Sequence, residues 1–307
     1  MPSLNIGRLR RTLALRGLTP ASVIPEASGA RMEEAAIRPA RLIEGDRLDW
    51  RPVGAAERGP DPLAFLDGVQ RSELLAYSGH CPVVVATIAA AVRERSDRRL
   101  RTVMEKERTL VLGRPQALAA AGDALADMDP VPLPVLENGH PSLDLVQAAR
   151  LVDQARGALE VSLAIRYRAE SPGWLIVDGG LTDSPELAGD RRMVGVIKSH
   201  ASLPFDGADL DRYLRLPPAH RSSMFTPETR NLTPVHSWAL RLWPWEGKDL
   251  FHGLVRIEVA PAPAYTSADA DRLSRWLLSE RAPLSAPDGR WDRLLYGVHT
   301  VEQYLRS

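Results

Sequence analysis

Two aspartates that follow apolar segments are the residues of this chain best placed to do chemistry. Asp67 follows the apolar run 63–66, Asp178 follows the apolar run 174–177, and a glycine comes after each aspartate. Such runs predict buried strands, and the ends of strands in an open α/β sheet are where ligands bind. Carboxylate oxygens suit Mg²⁺ and Mn²⁺. We interpret both residues as candidate metal ligands; the simpler interpretation is a turn, which Asp-Gly favours.

The surrounding pattern predicts alternating strands and helices, which is the order of an α/β domain. Ser142 is predicted to cap a long helix that runs to about Arg168. The other predicted helices cover 5–16, 266/267–280 and 299–306, and the other predicted strands cover 40–43, 73–77, 82–92, 194–197, 236–243 and 250–259.

Composition divides the chain into an N-terminal segment and a main domain. Residues 1–61 are rich in Arg, Ala, Pro and Gly and are predicted to form a basic, irregular extension. Residues 62–307 are predicted to form the main domain, in which 115–141 is interpreted as a linker-like excursion because it is rich in Ala, Asp and Pro.

Bulk composition excludes several classes of protein. The 39 basic residues balance the 39 acidic ones, so no overall positive charge indicates a nucleic-acid partner. Cys81 is the single cysteine of the sequence, which excludes a disulfide framework and a multi-cysteine zinc site. The longest apolar run, 82–92, is too short to span a bilayer. With no signal-like segment, we expect a soluble cytoplasmic protein without membrane contact.

Seven short motifs between Pro62 and Ser307 are more informative together than singly. They are Phe65-Leu66-Asp67-Gly68, Arg156-Gly157-Ala158-Leu159-Glu160, Ile176-Val177-Asp178-Gly179-Gly180-Leu181, Gly195-Val196-Ile197-Lys198, Arg221-Ser222-Ser223-Met224-Phe225, Arg256-Ile257-Glu258 and the segment from Arg290 to His299. Their order and spacing resemble the NurA nuclease family. Three positions depart from the family pattern: Val69 replaces a serine, Trp291 replaces a tyrosine and Asp292 replaces a proline.

The resemblance implies an α/β fold of the RNase H-like type, a mixed sheet flanked by helices with additional helical and strand elaborations. It also implies hydrolysis of DNA phosphodiesters with one or two Mn²⁺ or Mg²⁺ ions, held by Asp67, Glu160 and Asp178. Glu160 is included among the ligands only because of the family spacing, since by itself it is interpreted as an ordinary exposed glutamate of a helix.

The same resemblance suggests roles for four further residues. His299 is a candidate metal ligand or proton shuttle, or else a core or capping histidine. Lys198 would touch the scissile phosphate, or else pair with one of the carboxylates. Arg221 is expected to clamp the DNA backbone. Trp291 has no hydroxyl, but it could stack on a nucleobase.

Resemblance to NurA also implies partners. Members of that family act as homodimers on single-stranded DNA or duplex ends with a hexameric HerA-type ATPase, in DNA repair or phage defence. The sequence contains no P-loop, so an ATP-driven step would need such a partner. The alternative is a catalytically inactive RNase H-like adaptor of the ATPase. A sugar kinase is a weaker rival, since residues 68–72 lack the glycines of a phosphate-binding loop.

Overall fold

The computed structural model describes residues 5–20, 36–96, 99–134, 140–200, 202–228, 233–245, 250–261, 265–281 and 295–306. The chain forms two compact units. The first unit contains Met1–Met32, Gly68–Ala90 and Glu105–Glu160, and the second contains Glu33–Asp67, Ala91–Met104 and Val161–Ser307. The boundary predicted between residues 61 and 62 does not coincide with this division. Among the described residues, no helix is long and apolar enough to cross a membrane.

The strands are numbered in chain order. They are β1 (Thr19–Pro20), β2 (Ala36–Ile37), β3 (Ala40–Leu42), β4 (Trp50–Pro52), β5 (Leu63–Ser78), β6 (Cys81–Ser96), β7 (Arg99–Gly113), β8 (Asp129–Pro132), β9 (Trp174–Asp178), β10 (Met193–Ile197), β11 (Ser202–Leu203), β12 (His220–Ser222), β13 (Phe225–Pro227), β14 (His236–Arg241) and β15 (Leu254–Val259). The predicted strands at 40–43, 82–92, 174–177, 194–197, 236–243 and 250–259 are therefore confirmed, with shifts of up to four residues at their ends.

The helices are numbered in the same way. They are α1 (Ile6–Leu15), α2 (Pro115–Ala121), α3 (Pro141–Glu170), α4 (Pro185–Gly189), α5 (Gly207–Leu214), α6 (Ser267–Glu280) and α7 (Tyr296–Arg306). The predicted α1, α3, α6 and α7 are confirmed. Of the two predicted starting residues of α6, Thr266 is the cap: its side chain accepts from the backbone N–H of Asp269, and its own backbone N–H donates to the Asp269 carboxylate. α3 begins one residue before the predicted cap Ser142, and the backbone N–H of Ser142 donates instead to the His140 ring.

The first Asp-Gly pair does not end a strand, which corrects the prediction. β5 continues through Asp67 and Gly68 as far as Ser78. The apolar run stops at Asp67 because the strand loses burial there: residues 63–67 are buried, whereas Gln70 and Arg71 are exposed. A change in the environment of one continuous strand therefore resembles a strand end in the sequence.

The prediction of a linker-like excursion at 115–141 is wrong for its described part. It contains α2, a 3-10 turn (Gly122–Leu125) and β8, which runs parallel to β7. Ala117 and Ala121 are buried in the core of the first unit together with Leu13 of α1 and Val83 of β6. The alanines that suggested low complexity are strong helix formers, and Pro115 opens the helix at a position where proline is favourable.

The second unit contains the mixed sheet that the sequence predicts. Its strand order is β3-β13-β14-β15-β10-β9-β5. β9 is parallel to both β5 and β10, whereas β15 is antiparallel to β10 and to β14. One core cluster joins Phe65 and Ile257 of the sheet to Leu273 of α6 and Val298 of α7. The unit is therefore an α/β sheet with helices packed against it.

Arg221 belongs to this framework, which corrects its predicted role as a DNA clamp. Its side chain is 0% exposed. Its terminal nitrogens donate to the Glu44 carboxylate at 2.7 and 3.0 Å, and its Nε donates to Asp271 at 2.5 Å. A buried guanidinium whose donors are already used cannot bind a phosphate without breaking the fold. The network ties β12 to the segment that follows β3 and, through Asp271 and Ser267, to the first two turns of α6.

We expect Glu44→Gln to lower the free energy of unfolding by about 3 kcal/mol at pH 7, since it removes one partner of a buried ion pair. Burial alone would raise the pKa of Glu44, but hydrogen bonds from Arg221 and Ser267 lower it to about 2, from an ordinary value of 4.5. The stabilisation is present above the ordinary pKa and is lost as the pH falls toward the folded-state pKa. The gap between wild type and variant, measured by urea denaturation, should therefore shrink below about pH 4.5.

Glu57→Gln is the matched control. Glu57 pairs with Arg275, and its side chain is 53% exposed, so its loss should change stability by less than about 1 kcal/mol. Equal losses in the two variants, or a gap for Glu44→Gln that does not depend on pH, would contradict a buried charge network around Arg221.

Candidate functional site

Parallel pairing of β5 with β9 brings Asp67 and Asp178 to neighbouring positions. The register runs from Leu63 opposite Trp174 to Leu66 opposite Val177, and the two aspartates are the next residues on their strands. Phe65 and Ile176 both lie in the core cluster, and side chains alternate along a strand. Asp67 and Asp178 therefore share the sheet face covered by α7. Asp67 is 7% exposed, and Asp178 is half-buried.

Lys198 supplies the positive charge beside this pair. It follows β10, in which Val196 lies opposite Asp178. Lys198 Nζ lies 2.6 Å from Asp178 Oδ2, and both side chains are mostly buried. Of the two predicted roles of Lys198, pairing with a carboxylate is the one seen here. The lysine offsets the repulsion between two adjacent carboxylates.

His299 lies in the first turn of α7, which begins three residues earlier than predicted. This helix packs tightly on the sheet, because a Cβ at Gly297 would overlap the Phe65 ring. The backbone N–H of His299 donates to Leu295 O at 2.9 Å. Among the described residues, no hydrogen-bond partner meets the buried Nδ1 of His299. A buried imidazole nitrogen without a hydrogen-bond partner is suited to binding a ligand, since buried polar atoms are normally paired.

Glu160 is placed in the first unit by the middle of α3. Its carboxylate lies against Gly68, so that a Cβ at position 68 would overlap it. Arg156, one helical turn earlier, pairs with Glu160 and also donates to Gln70 at 3.2 Å. The Glu160 side chain is 15% exposed, so it is not the ordinary exposed helix glutamate of the simpler interpretation. Gly68, which the Glu160 carboxylate contacts, directly follows Asp67 in the chain.

Glu258 has a structural role in the site that the sequence did not reveal. It is 1% exposed and accepts a hydrogen bond at 2.9 Å from the backbone N–H of Leu181, in the loop that follows Asp178. Burial raises its pKa, although Arg256 and the Leu181 N–H act in the opposite direction. Glu258 therefore positions the Asp178 loop. The signal in the sequence is a glutamate within an apolar strand, in the motif Arg256-Ile257-Glu258.

The donor types fit a hard divalent cation, but they are not assembled into a site. Across the described parts of the chain, no three His, Cys, Asp or Glu side chains are arranged to hold a metal ion. Lys198 and Arg156 already neutralise Asp178 and Glu160. A divalent cation would have to displace these side chains, which is possible because both are long and flexible. Trp291 lies outside the described residues, so its predicted stacking role stays a prediction.

Comparison with known proteins supports the fold. No family model matches the chain, and no curated protein matches it in sequence. The crystal structure of the NurA nuclease from Sulfolobus solfataricus matches with a TM-score of 0.51 and 11% sequence identity, over 83% of this chain and 81% of that chain. The catalytic domain of human endonuclease V gives a TM-score of 0.32 at 14% identity, over 100% and 96% of the two chains. Only the first score is high enough to indicate a shared fold, and it confirms the RNase H-like α/β class.

We expect Gly68→Ala to lower the free energy of unfolding by about 1 kcal/mol, because the new methyl group takes the space of the Glu160 carboxylate. The matched control is Gly157→Ala on the same helix as Glu160, where a Cβ meets nothing within 4 Å. This control should instead gain about 0.5 to 1 kcal/mol, as is usual for glycine in a helix interior.

A double-mutant cycle tests whether the Glu160 carboxylate is the cause of the stability loss in Gly68→Ala. In a Glu160→Ala background the cost of Gly68→Ala should nearly vanish, because the overlapping group is gone. If urea denaturation gives the same cost in both backgrounds, the placement of Glu160 against Gly68 is incorrect.

Proposed function

We propose that this protein is a divalent-metal-dependent DNA nuclease, with Asp67 and Asp178 as the central metal ligands. The observation that supports this most is the pairing of β5 with β9, which places the two aspartates side by side within an RNase H-like fold. Nothing in the folding of a sheet requires two adjacent carboxylates on a mostly buried face, where their repulsion is costly. A bound cation would remove that cost.

Glu160 and His299 complete the proposed ligand set. Glu160 is held beside Gly68, and His299 presents a nitrogen without a hydrogen-bond partner among the described residues. Oxygen-rich sites favour Mg²⁺ or Mn²⁺, and an added imidazole shifts the preference toward Mn²⁺. A divalent cation bound there would supply Lewis-acid chemistry, activating a water and stabilising charge on the departing oxygen.

The remaining side chains bind and orient the substrate in this proposal. Lys198, once its ammonium leaves Asp178, is a compact cation suited to an oxygen of the scissile phosphate. Glu258 acts through the loop that follows Asp178 and is a positioning residue. His299, if it is not a ligand, would donate a proton to the leaving oxygen.

The proposal extends to the substrate and partners implied by the motif order. The substrate is single-stranded DNA or a duplex end, and the protein would act as a homodimer with a hexameric HerA-type ATPase, in repair or phage defence. Two properties of the chain support a partner. The sequence contains no P-loop, and its balance of 39 basic and 39 acidic residues leaves much of the DNA binding to another protein.

A catalytically inactive adaptor is the second candidate function. It is favoured by the Lys198–Asp178 ion pair and by the lack of a preassembled three-donor group in the described parts of the chain. An adaptor of this kind would use the fold to bind the ATPase and would need no metal.

We expect purified protein to degrade end-labelled single-stranded DNA in Mn²⁺ and to stop when EDTA is added. Asp178→Asn should reduce the rate by more than about 100-fold, because even changes to groups behind a metal ligand cost roughly 10- to 100-fold. Rates are measured from gel-resolved time courses.

The control variant is Asp211→Asn, since Asp211 forms an exposed pair with Arg215 and should leave the rate unchanged. Wild-type protein that cleaves no DNA in any divalent metal, with or without the ATPase, would support the adaptor and contradict the nuclease.

A further inference from the structure

A cavity of about 260 Å³ lies in the second unit, next to the candidate ligands. Its wall includes Phe65, which precedes Asp67 by two residues on β5, and Thr300, which follows His299 on α7. Two residues along a strand span about 7 Å and face the same side. The cavity therefore adjoins the sheet face that carries Asp67, about one strand repeat from that residue.

Arg93 brings to this cavity a positive charge that lies over the Tyr304 ring, 5.3 Å from its centroid, and that no carboxylate of the described residues pairs with. Its terminal nitrogens donate to the backbone oxygens of Thr300 at 3.0 Å and Leu100 at 3.1 Å. Its Nε is buried and has no hydrogen-bond partner among the described residues. Within that part of the chain, no carboxylate lies at ion-pair distance from Arg93. A mostly buried guanidinium is costly unless an anion is close.

Arg95 lines the same cavity and has donors left over. It pairs with Glu280 through Nη1, and its side chain is only 16% exposed. Its Nε and Nη2 are buried and meet no hydrogen-bond acceptor in the described residues. Asp61 Oδ1 is 3.9 Å from Nε, which is too far to accept a hydrogen bond. Together, the two arginines offer three unused nitrogens around one small cavity.

We infer that this cavity binds the terminal phosphate of a nucleic-acid strand; the inference rests on the proposed nuclease function. Guanidinium groups match phosphate oxygens in geometry and charge. Ligand pockets for drug-sized molecules measure roughly 300 to 1,000 Å³, so about 260 Å³ accommodates one nucleotide end and excludes a continuous duplex.

The position of the cavity determines which linkages of a bound strand lie near the candidate metal ligands. A strand whose terminal phosphate lies between Arg93 and Arg95 has its first linkages beside Asp67 and Asp178. Tyr296, which is 52% exposed at the cavity wall, offers a ring on which the terminal base stacks. The cavity therefore selects strand ends and sets the distance from the end to the bond that is cut.

Fluorescence anisotropy in EDTA tests binding without cleavage. The probes are one labelled oligonucleotide with a 5′-phosphate, with a 3′-phosphate, or with hydroxyls at both ends. We expect one of the phosphorylated strands to bind about tenfold more tightly than the hydroxyl-ended strand, as charge-assisted hydrogen bonds should give. Arg93→Met should remove that preference, whereas Arg166→Met, in an exposed pair with Glu170, should retain it.

Tyr296 provides a second variant that does not disturb the core. Tyr296→Glu places a negative charge at the cavity wall and at the N-terminus of α7, where acidic residues favour the helix. It should abolish the phosphate preference, whereas the uncharged Tyr296→Gln should reduce it by no more than about threefold. This comparison keeps the test valid if Arg93→Met fails to fold.

Equal affinities for phosphate and hydroxyl ends in wild type, or equal effects of Tyr296→Glu and Tyr296→Gln, would overturn the inference. Cleavage of the hydroxyl-ended strand in Mn²⁺ reports on the proposed function separately. A protein that cleaves this strand but ignores terminal phosphates is a nuclease without this site. If the protein prefers phosphate ends but cleaves no strand, the phosphate-binding cavity is supported and the proposed nuclease function is contradicted.

Discussion

The parallel pairing of β5 with β9 is the constraint on which the site depends. It places Asp67 beside Asp178, although 110 residues separate them in the chain. A slip of one residue would turn one strand over and send its aspartate to the opposite face. The register is fixed by apolar side chains: Phe65 and Ile176 must stay on the core face with α7. The packing of the core therefore places the Asp67 and Asp178 carboxylates side by side.

Bringing carboxylates together on a mostly buried surface has an electrostatic cost, which basic side chains offset. Lys198 pairs with Asp178, and Arg156 pairs with Glu160 in the first unit. Both basic residues are held by a neighbouring strand or helix turn, and both have long side chains that can move aside. In the proposed function, a divalent cation and a phosphate take over these roles, so Lys198 and Arg156 keep the site folded between turnovers.

The sequence predicted those features that depend on local apolar pattern and caps. The strands that lead to Asp67 and Asp178 and the start of α6 at residues 266 and 267 follow from such patterns, whereas the mixed sheet was implied by the family resemblance. Features that depend on distant partners were not predictable. Arg221 was interpreted as a DNA contact because nothing in its neighbourhood shows that Glu44, 177 residues away, encloses it. The buried role of Glu258 likewise depends on the backbone of Leu181, which lies on another part of the chain.

Anomalous diffraction from crystals soaked in Mn²⁺ shows whether Asp67 and Asp178 share a cation. We expect an anomalous peak within coordination distance of both carboxylates, with Lys198 moved off Asp178, and no such peak in Asp67→Asn crystals. A peak elsewhere, or an intact Lys198–Asp178 pair at saturating Mn²⁺ with no metal beside it, would show that the two aspartates do not form a metal site.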